Sequence, residues 1–224
     1  MRRKRALVAW SSGKGAAYAL HLARQRPDLA IAGLYTTMNA ETQCALMHGA
    51  DERLLGEQAI AVRTTINTRW LPAGWTDEVY AYALADEVRR AKQQRIEVVV
   101  LGDLDLSRET VKLRREEHFK GSSIEPVFPL WGRESSSLAE EMLACGMEAF
   151  VTCVDTRLLD RSFVGRKWDS SFIADLPPGV DPCGGRGEFH TCVTGGPMFR
   201  TRLRVTAGPP VDRAPFVFVR YRAA

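Results

Sequence analysis

The stretch ALVAWSSGKGAAYALHLAR, residues 6–24, decides how the rest of the chain is read. Arg5 to Trp10 form a short apolar run that suits a buried strand, and after a Ser-Gly-rich turn the apolar spacing becomes helical from about Ala16 to Arg24, closing before Pro27. Strand, tight loop and helix open a βαβ unit. In a parallel sheet ligands gather at the carboxyl ends of the strands, and this first strand runs directly into Ser11, Ser12, Gly13, Lys14 and Gly15. Small residues let the backbone approach phosphate oxygens, and the unpaired N–H groups of the following helix face the same spot. Ser11 and Ser12 can add hydroxyl donors and Lys14 a cation, so the loop is expected to hold a phosphate or pyrophosphate. It is neither GxxxxGK[ST] nor GxGxxG, which leaves a plain strand-to-helix turn open as the alternative.

Outward from this loop the alternation continues. Leu29 to Tyr35 reads as a second strand, Asp51 to Ala59 as a helix, Ala61 to Thr65 as a third strand and Thr76 to Gln94 as an amphipathic helix, while EVVVL at Glu97 to Leu101 is the clearest buried strand. Such a series predicts an α/β fold with a parallel sheet covered by helices. After Ile124 the texture changes to FPLWGRESSS, then a helix near Ser137 to Ala144 and a strand at Ala149 to Val154. The Gly- and Pro-rich final third, with strands at Glu188 to Val193 and Pro215 to Tyr221 and turns such as Thr194 to Pro197, suggests antiparallel pairing. A boundary near Phe128 to Gly132 divides the chain into a first domain, 1–130, and a smaller α+β domain, 131–224.

The apolar share of 45% and charged share of 26% are those of a folded globular protein, so a disordered or fibrous class is excluded. Thirty-one basic against 27 acidic residues give a net +4, which fits an anionic ligand such as a nucleotide without indicating nucleic acid. Cysteines 44, 145, 153, 183 and 192 are odd in number and form no CxxC pair, which argues for reduced thiols. The apolar run behind Arg2 to Arg5 is too short for a signal peptide, and no run approaches the roughly 18 residues of a membrane span. A cytoplasmic protein without a membrane partner is expected, with a homo-oligomer left open.

The loop is followed by MHG at Met47 to Gly49, GD at Gly102-Asp103, EPVFPLW at Glu125 to Trp131, VDTRLLDRSFVGR at Val154 to Arg166 and LPPGVDPCGGRGEFHTCVTGGPMF at Leu176 to Phe199. In this order, and over nearly the whole chain, these blocks resemble the diphthine-ammonia ligase family of PP-loop ATP pyrophosphatases. The resemblance implies an adenine nucleotide alpha-hydrolase-like (HUP/Rossmann-like) first domain and a family-specific acceptor domain, with the active site between them. It also implies ATP and Mg2+ as cofactors. ATP would be split to AMP and pyrophosphate while an acceptor carboxylate, protein-borne or small and not identified by the sequence, becomes an acyl-adenylate that ammonia converts to an amide. Where the family loop continues Asp-Ser, this chain has Gly15 and Ala16. That departure removes a metal ligand and a phosphate donor, keeps open an adenine-nucleotide-binding module or sensor without efficient turnover, and predicts that restoring Asp and Ser raises turnover. LDLSRETVKLRREE after Asp103 also departs from the family pattern, and a nucleic-acid enzyme lacks its basic patch and CxxC pair here.

Strand alternation puts Glu188, His190 and Cys192 on one face and Phe189, Thr191 and Val193 on the other, so the polar face is expected to address the cleft. A carboxylate beside an imidazole offers acid-base chemistry near neutral pH, although a solvated strand with a structural histidine remains the plain alternative. By resemblance, Glu188, His190 and Thr191 line the acceptor side, with Asp181, Cys183, Gly184 and Gly187 as the shaping loop. The nucleotide side takes Ser11, Ser12, Gly13, Lys14, Gly15, His48, Gly102 and Asp103. Asp103, after the strongest strand, is placed for magnesium or a ribose hydroxyl. Lys14, Glu188 and His190 are the expected catalytic residues, Lys14 acting on the nucleotide and the other two on the acceptor. A zinc site from Cys153, Cys183, His190 and Cys192 matches no common spacing, Asp160 reads as a capping residue, and Phe128 and Trp131 as packing.

Overall fold

The computed structural model describes residues 2–104 and 116–224; most of the irregular segment after Asp103 lies outside them. Strand β1 (Lys4–Ala9) is central in a mostly parallel sheet. On one side it pairs with β2 (Leu29–Asn39), which in turn pairs with β4 (Ile66–Leu71); on the other lie β5 (Val98–Val100) and then β6 (Glu125–Val127). A two-residue strand, β3 (Cys44–Ala45), runs antiparallel against the end of β2. The order β4-β2-β1-β5-β6 is that of a doubly wound sheet, and the direction of winding reverses between β1 and β5. Alternate side chains of β1 feed different cores: Ala6 and Val8 join the larger cluster, whereas Leu7 joins a second one with Val99, Leu101 and Phe119.

Among the described residues, three helices of ten residues or more accompany this sheet. Helix α1 (Lys14–Gln25) buries Ala16, Ala17, Ala19, Leu20 and Ala23, residues small enough to bring the helix close to the sheet. Helix α2 (Glu52–Ala61) is capped by Asp51, which accepts from the Leu54 N–H, and α3 (Asp77–Gln93) by Thr76, with acids in its first turn and bases in its last. The expected third strand at Ala61 to Thr65 is a correction. Val62 and Thr64 donate their N–H groups back to Gln58 and Ala59 carbonyls, so this segment is the exit of α2. The strand is instead INTRWL, mostly half-buried residues paired with the far half of β2.

Beyond residue 131 the expected antiparallel pairing is present. Glu134 caps α4 (Ser135–Ala144), and β7 (Glu148–Asp155) pairs with β8 (Lys167–Trp168), β9 (Phe189–Gly195) and β12 (Phe216–Phe218), the last also holding β11 (Val211–Arg213). A short helix, α5 (Ser170–Ala174), follows β8. The expected strand at Pro215 to Tyr221 divides: β12 stays in this sheet, while β13 (Tyr221–Ala223) pairs with β10 (Val205–Ala207) in a separate ribbon. Asp160 caps a single 3-10 turn by accepting from Ser162 N–H. The larger core cluster crosses the expected boundary, joining Val8, Trp10 and Leu20 to Val151, Trp168, Phe189 and Val193. No helix of the described residues is long and apolar enough to cross a membrane.

Candidate functional site

A cleft of about 350 Å3 opens where the sheet reverses its winding. One wall is Ser11 and Lys14 to Ala16 after β1, a second is Gly102 to Leu104 after β5, and the facing wall is Cys183 to Gly185 with Phe189 to Thr191. The first four N–H groups of a helix have no partner within it. At α1 two are met from outside, Gly13 N–H by Ser11 Oγ at 3.3 Å and Lys14 N–H by Thr191 Oγ1 at 3.2 Å. Gly15 and Ala16 donate to no acceptor among the described residues, and both line the cleft. The positive end of α1 is thereby presented to a ligand as two free donors.

Gly15 and Gly102 touch backbone to backbone. A Cβ on Gly15 would lie 2.6 Å from the Gly102 carbonyl oxygen, and one on Gly102 would lie 2.6 Å from Gly15 C and O and 2.7 Å from Ala16 N. Where the family loop carries aspartate, a Cβ at Gly15 does not fit without a shift, so restoring that aspartate must first push the two main chains apart. His48 closes the loop from the other side, its Cε1 only 2.5 Å from where a Gly13 Cβ would stand.

Ser12 does not serve as a phosphate donor here. Its backbone is left-handed, at φ 74°, and its side chain is fully buried. The hydroxyl donates to Cys192 Sγ at 3.3 Å and accepts from Gln58 Nε2 at 2.9 Å. Gln58, itself fully buried, also donates to Val193 O and accepts from the Trp10 indole N–H, while Val193 N–H donates to Ser12 O. This knot ties the loop to α2 and β9. Sequence reasoning missed Gln58, whose one signal was a polar residue on a helix face shared with Leu54, Leu55 and Ala59.

The strand-face expectation for Glu188 is corrected as well. Its carboxylate turns into its own loop, accepting from Asp181 N–H at 3.1 Å and Arg186 N–H at 3.0 Å, and is 3% exposed. Asp181 likewise accepts from Cys183 N–H at 2.7 Å and from the Ser135 hydroxyl. Neither carboxylate nor Gly187 lines the cleft; both acids hold the loop that places Cys183 and Gly184, which do. A left-handed φ of 63° and the Phe189 carbonyl, 2.6 Å from where a Cβ would stand, require glycine at 184.

His48 and His190 meet edge to face with centroids 4.9 Å apart, and both line the cleft. His48 Nδ1–H donates to the Thr191 carbonyl at 2.9 Å, which leaves Nε2 as the acceptor of the neutral ring. Burial, outweighing that hydrogen bond, lowers His48 to about 4; burial, then His48, then Lys14 hold His190 well below its ordinary value. Both imidazoles are therefore neutral at pH 7. Lys14 is 3% exposed, and its ammonium leaves the helix end for the opposite wall, 4.4 Å from the Phe189 centroid and 5.3 Å from that of Trp168. Burial lowers it to about 8. Burial also raises the Cys183 thiol, which donates to Ser135 O. Asp103 is the one carboxylate among the described cleft residues, and no described group of three or more His, Cys, Asp or Glu could hold a metal by itself.

Fold and cleft define a mixed α/β protein with the start of α1 open to a cleft at the switch point of a mostly parallel sheet, faced by a strand of the antiparallel one. Residues 134–214 match the diphthamide synthase C-terminal domain. That segment match agrees with the resemblance to the diphthine-ammonia ligase family carried by the sequence blocks. No curated protein matches the chain. The matched segment includes α4, β7 and the loop and strand that form the facing wall of the cleft.

Proposed function

We propose that the chain is an ATP-dependent ligase that activates a carboxylate as an acyl-adenylate, releasing pyrophosphate, and passes it to ammonia to give an amide and AMP. The observation that carries this is the pair of free donors, Gly15 and Ala16 N–H, facing the strand of the diphthamide synthase domain across one cleft. These donors suit phosphate oxygens, and Asp103, the carboxylate lining the same cleft, would share a magnesium ion with those oxygens. His48 and His190, neutral and with acceptor nitrogens, can take a proton from the attacking amine. Such a protein would work in the cytoplasm, where ATP is supplied and its five free thiols stay reduced. Calorimetry with ATP and AMP tests the nucleotide claim, and failure of both to bind would remove it.

A second reading, a nucleotide-binding module without efficient turnover, is favoured by the Gly15–Gly102 contact, which shuts out the loop aspartate. Pyrophosphate release with magnesium and ammonium across a panel of carboxylates separates the two. Binding without release supports the module.

A further inference from the structure

We propose that Lys14, although it belongs to the loop at the end of β1, is the counter-ion of the acceptor's carboxylate and not of the nucleotide's phosphates. This rests on the ligase reading above and assigns its second substrate a place. Lys14 is the first residue of α1, yet its side chain runs from the free helix donors to the aromatic wall of Phe189 and Trp168. The two rings attract a cation but accept no conventional hydrogen bond, and the ammonium has three donors to satisfy. No ion pair or hydrogen bond meets them among the described residues.

The acids that face this ammonium are occupied elsewhere. Asp181 and Glu188 act on it from a distance while accepting from N–H groups of their own loop, and the Cys183 thiol is directed to Ser135 O. A cation this buried without an anion is unfavourable, so an anion at the cleft surface beside it gains what the protein withholds. Gly184 and Gly185 line this end of the cleft and project no side chain into it. A carboxylate held there faces the helix end where a phosphate would lie, the arrangement an attack on phosphorus needs. The lowered titration of Lys14 agrees, since a bound carboxylate raises it again.

The test is trace acetylation of the full chain with acetic anhydride below pH 8, read by peptide mass spectrometry with exposed Lys120 as internal reference, alone and with acetate or magnesium ATP as probe. Acetate is expected to slow Lys14 labelling about tenfold, the effect of raising its titration by about one pH unit, while ATP leaves the rate within about twofold. Protection by ATP, or by neither probe, overturns the assignment. Lys14→Met gives a second readout. It should keep ATP affinity within about threefold while losing carboxylate-dependent AMP formation, and a tenfold or greater loss of ATP affinity overturns the proposal. If ATP fails to bind the wild-type chain, the nucleotide reading falls, and the acetate arm, which needs no nucleotide, still decides the role of Lys14.

Discussion

Gly15→Ala puts the smallest side chain where the geometry allows none. Its Cβ would stand 2.6 Å from Gly102 O, against an ordinary contact of 3.4 Å or more, so the end of β5 must move by most of an ångström from α1. Displacements of packed backbone cost about 1–3 kcal/mol, offset by roughly 0.5–1 kcal/mol from replacing glycine in a helix. The net expectation is a loss of about 1–2 kcal/mol, or a fall in Tm of roughly 2–8 °C for a chain of this size. Gly56→Ala is the control: Gly56 lies in α2 with nothing within 4 Å of its would-be Cβ, so it should gain stability. Gly102→Ala meets the same contact from the other side, so the double variant should cost clearly less than the sum of the singles, the strand having already moved. Urea denaturation measures all four. If Gly15→Ala is as stable as the wild type, or the two substitutions add, the backbone contact is not the constraint described, and the lost loop aspartate needs another explanation.

Replacing Gln58 by Leu strands the Trp10 indole N–H and Val193 O in the core and takes one donor from Ser12 Oγ, which keeps its bond to Cys192 Sγ, and unsatisfied buried groups cost about 1–3 kcal/mol each. A loss of about 3 kcal/mol or more in urea unfolding is expected, and a loss under 1 kcal/mol would refute the knot as a stabilising feature. Lys14 titrates at about 8 when folded against 10.5 unfolded, so below pH 8 its charged burial opposes folding, and stability rises as pH climbs through that window. Lys14→Met keeps the packing without the charge and should be more stable at pH 7 by up to about 3 kcal/mol, an advantage that vanishes above pH 10.5; a less stable variant at pH 7 would contradict this. His48 has the analogous sign with a lower window: between 6.5 and about 4 the unfolded chain binds a proton that the folded one refuses. Stability should therefore fall on acidification across that range, by up to about 3 kcal/mol for this group, and His48→Gln should flatten the pH dependence of the urea midpoint.

Much of this was legible without coordinates because it is local. The apolar run before Ser11, the alanine-rich stripe of α1, the EVVVL strand and the capped helices follow from periodicity and end chemistry, and the free donors at Gly15 and Ala16 follow from any helix beginning at a loop. The blocks from Val154 to Phe199 likewise carried the family resemblance in their order, within the segment that matches the diphthamide synthase C-terminal domain. What tertiary structure decided is where side chains go once distant segments meet. Ser12 and Ser11 are equivalent on paper, but only Ser12 meets Gln58 and Cys192, from α2 and β9, and is lost to the cleft. Glu188 alternates with Phe189 along the strand, yet the backbone N–H groups of its own loop claim its carboxylate first. A lysine beside a helix N-terminus reads as a phosphate ligand, and the rings of Trp168 and Phe189 turn it to the opposite wall. In each case a long-range partner selects one conformation among several that the local sequence permits equally, and contact across the fold sets the energy that separates them.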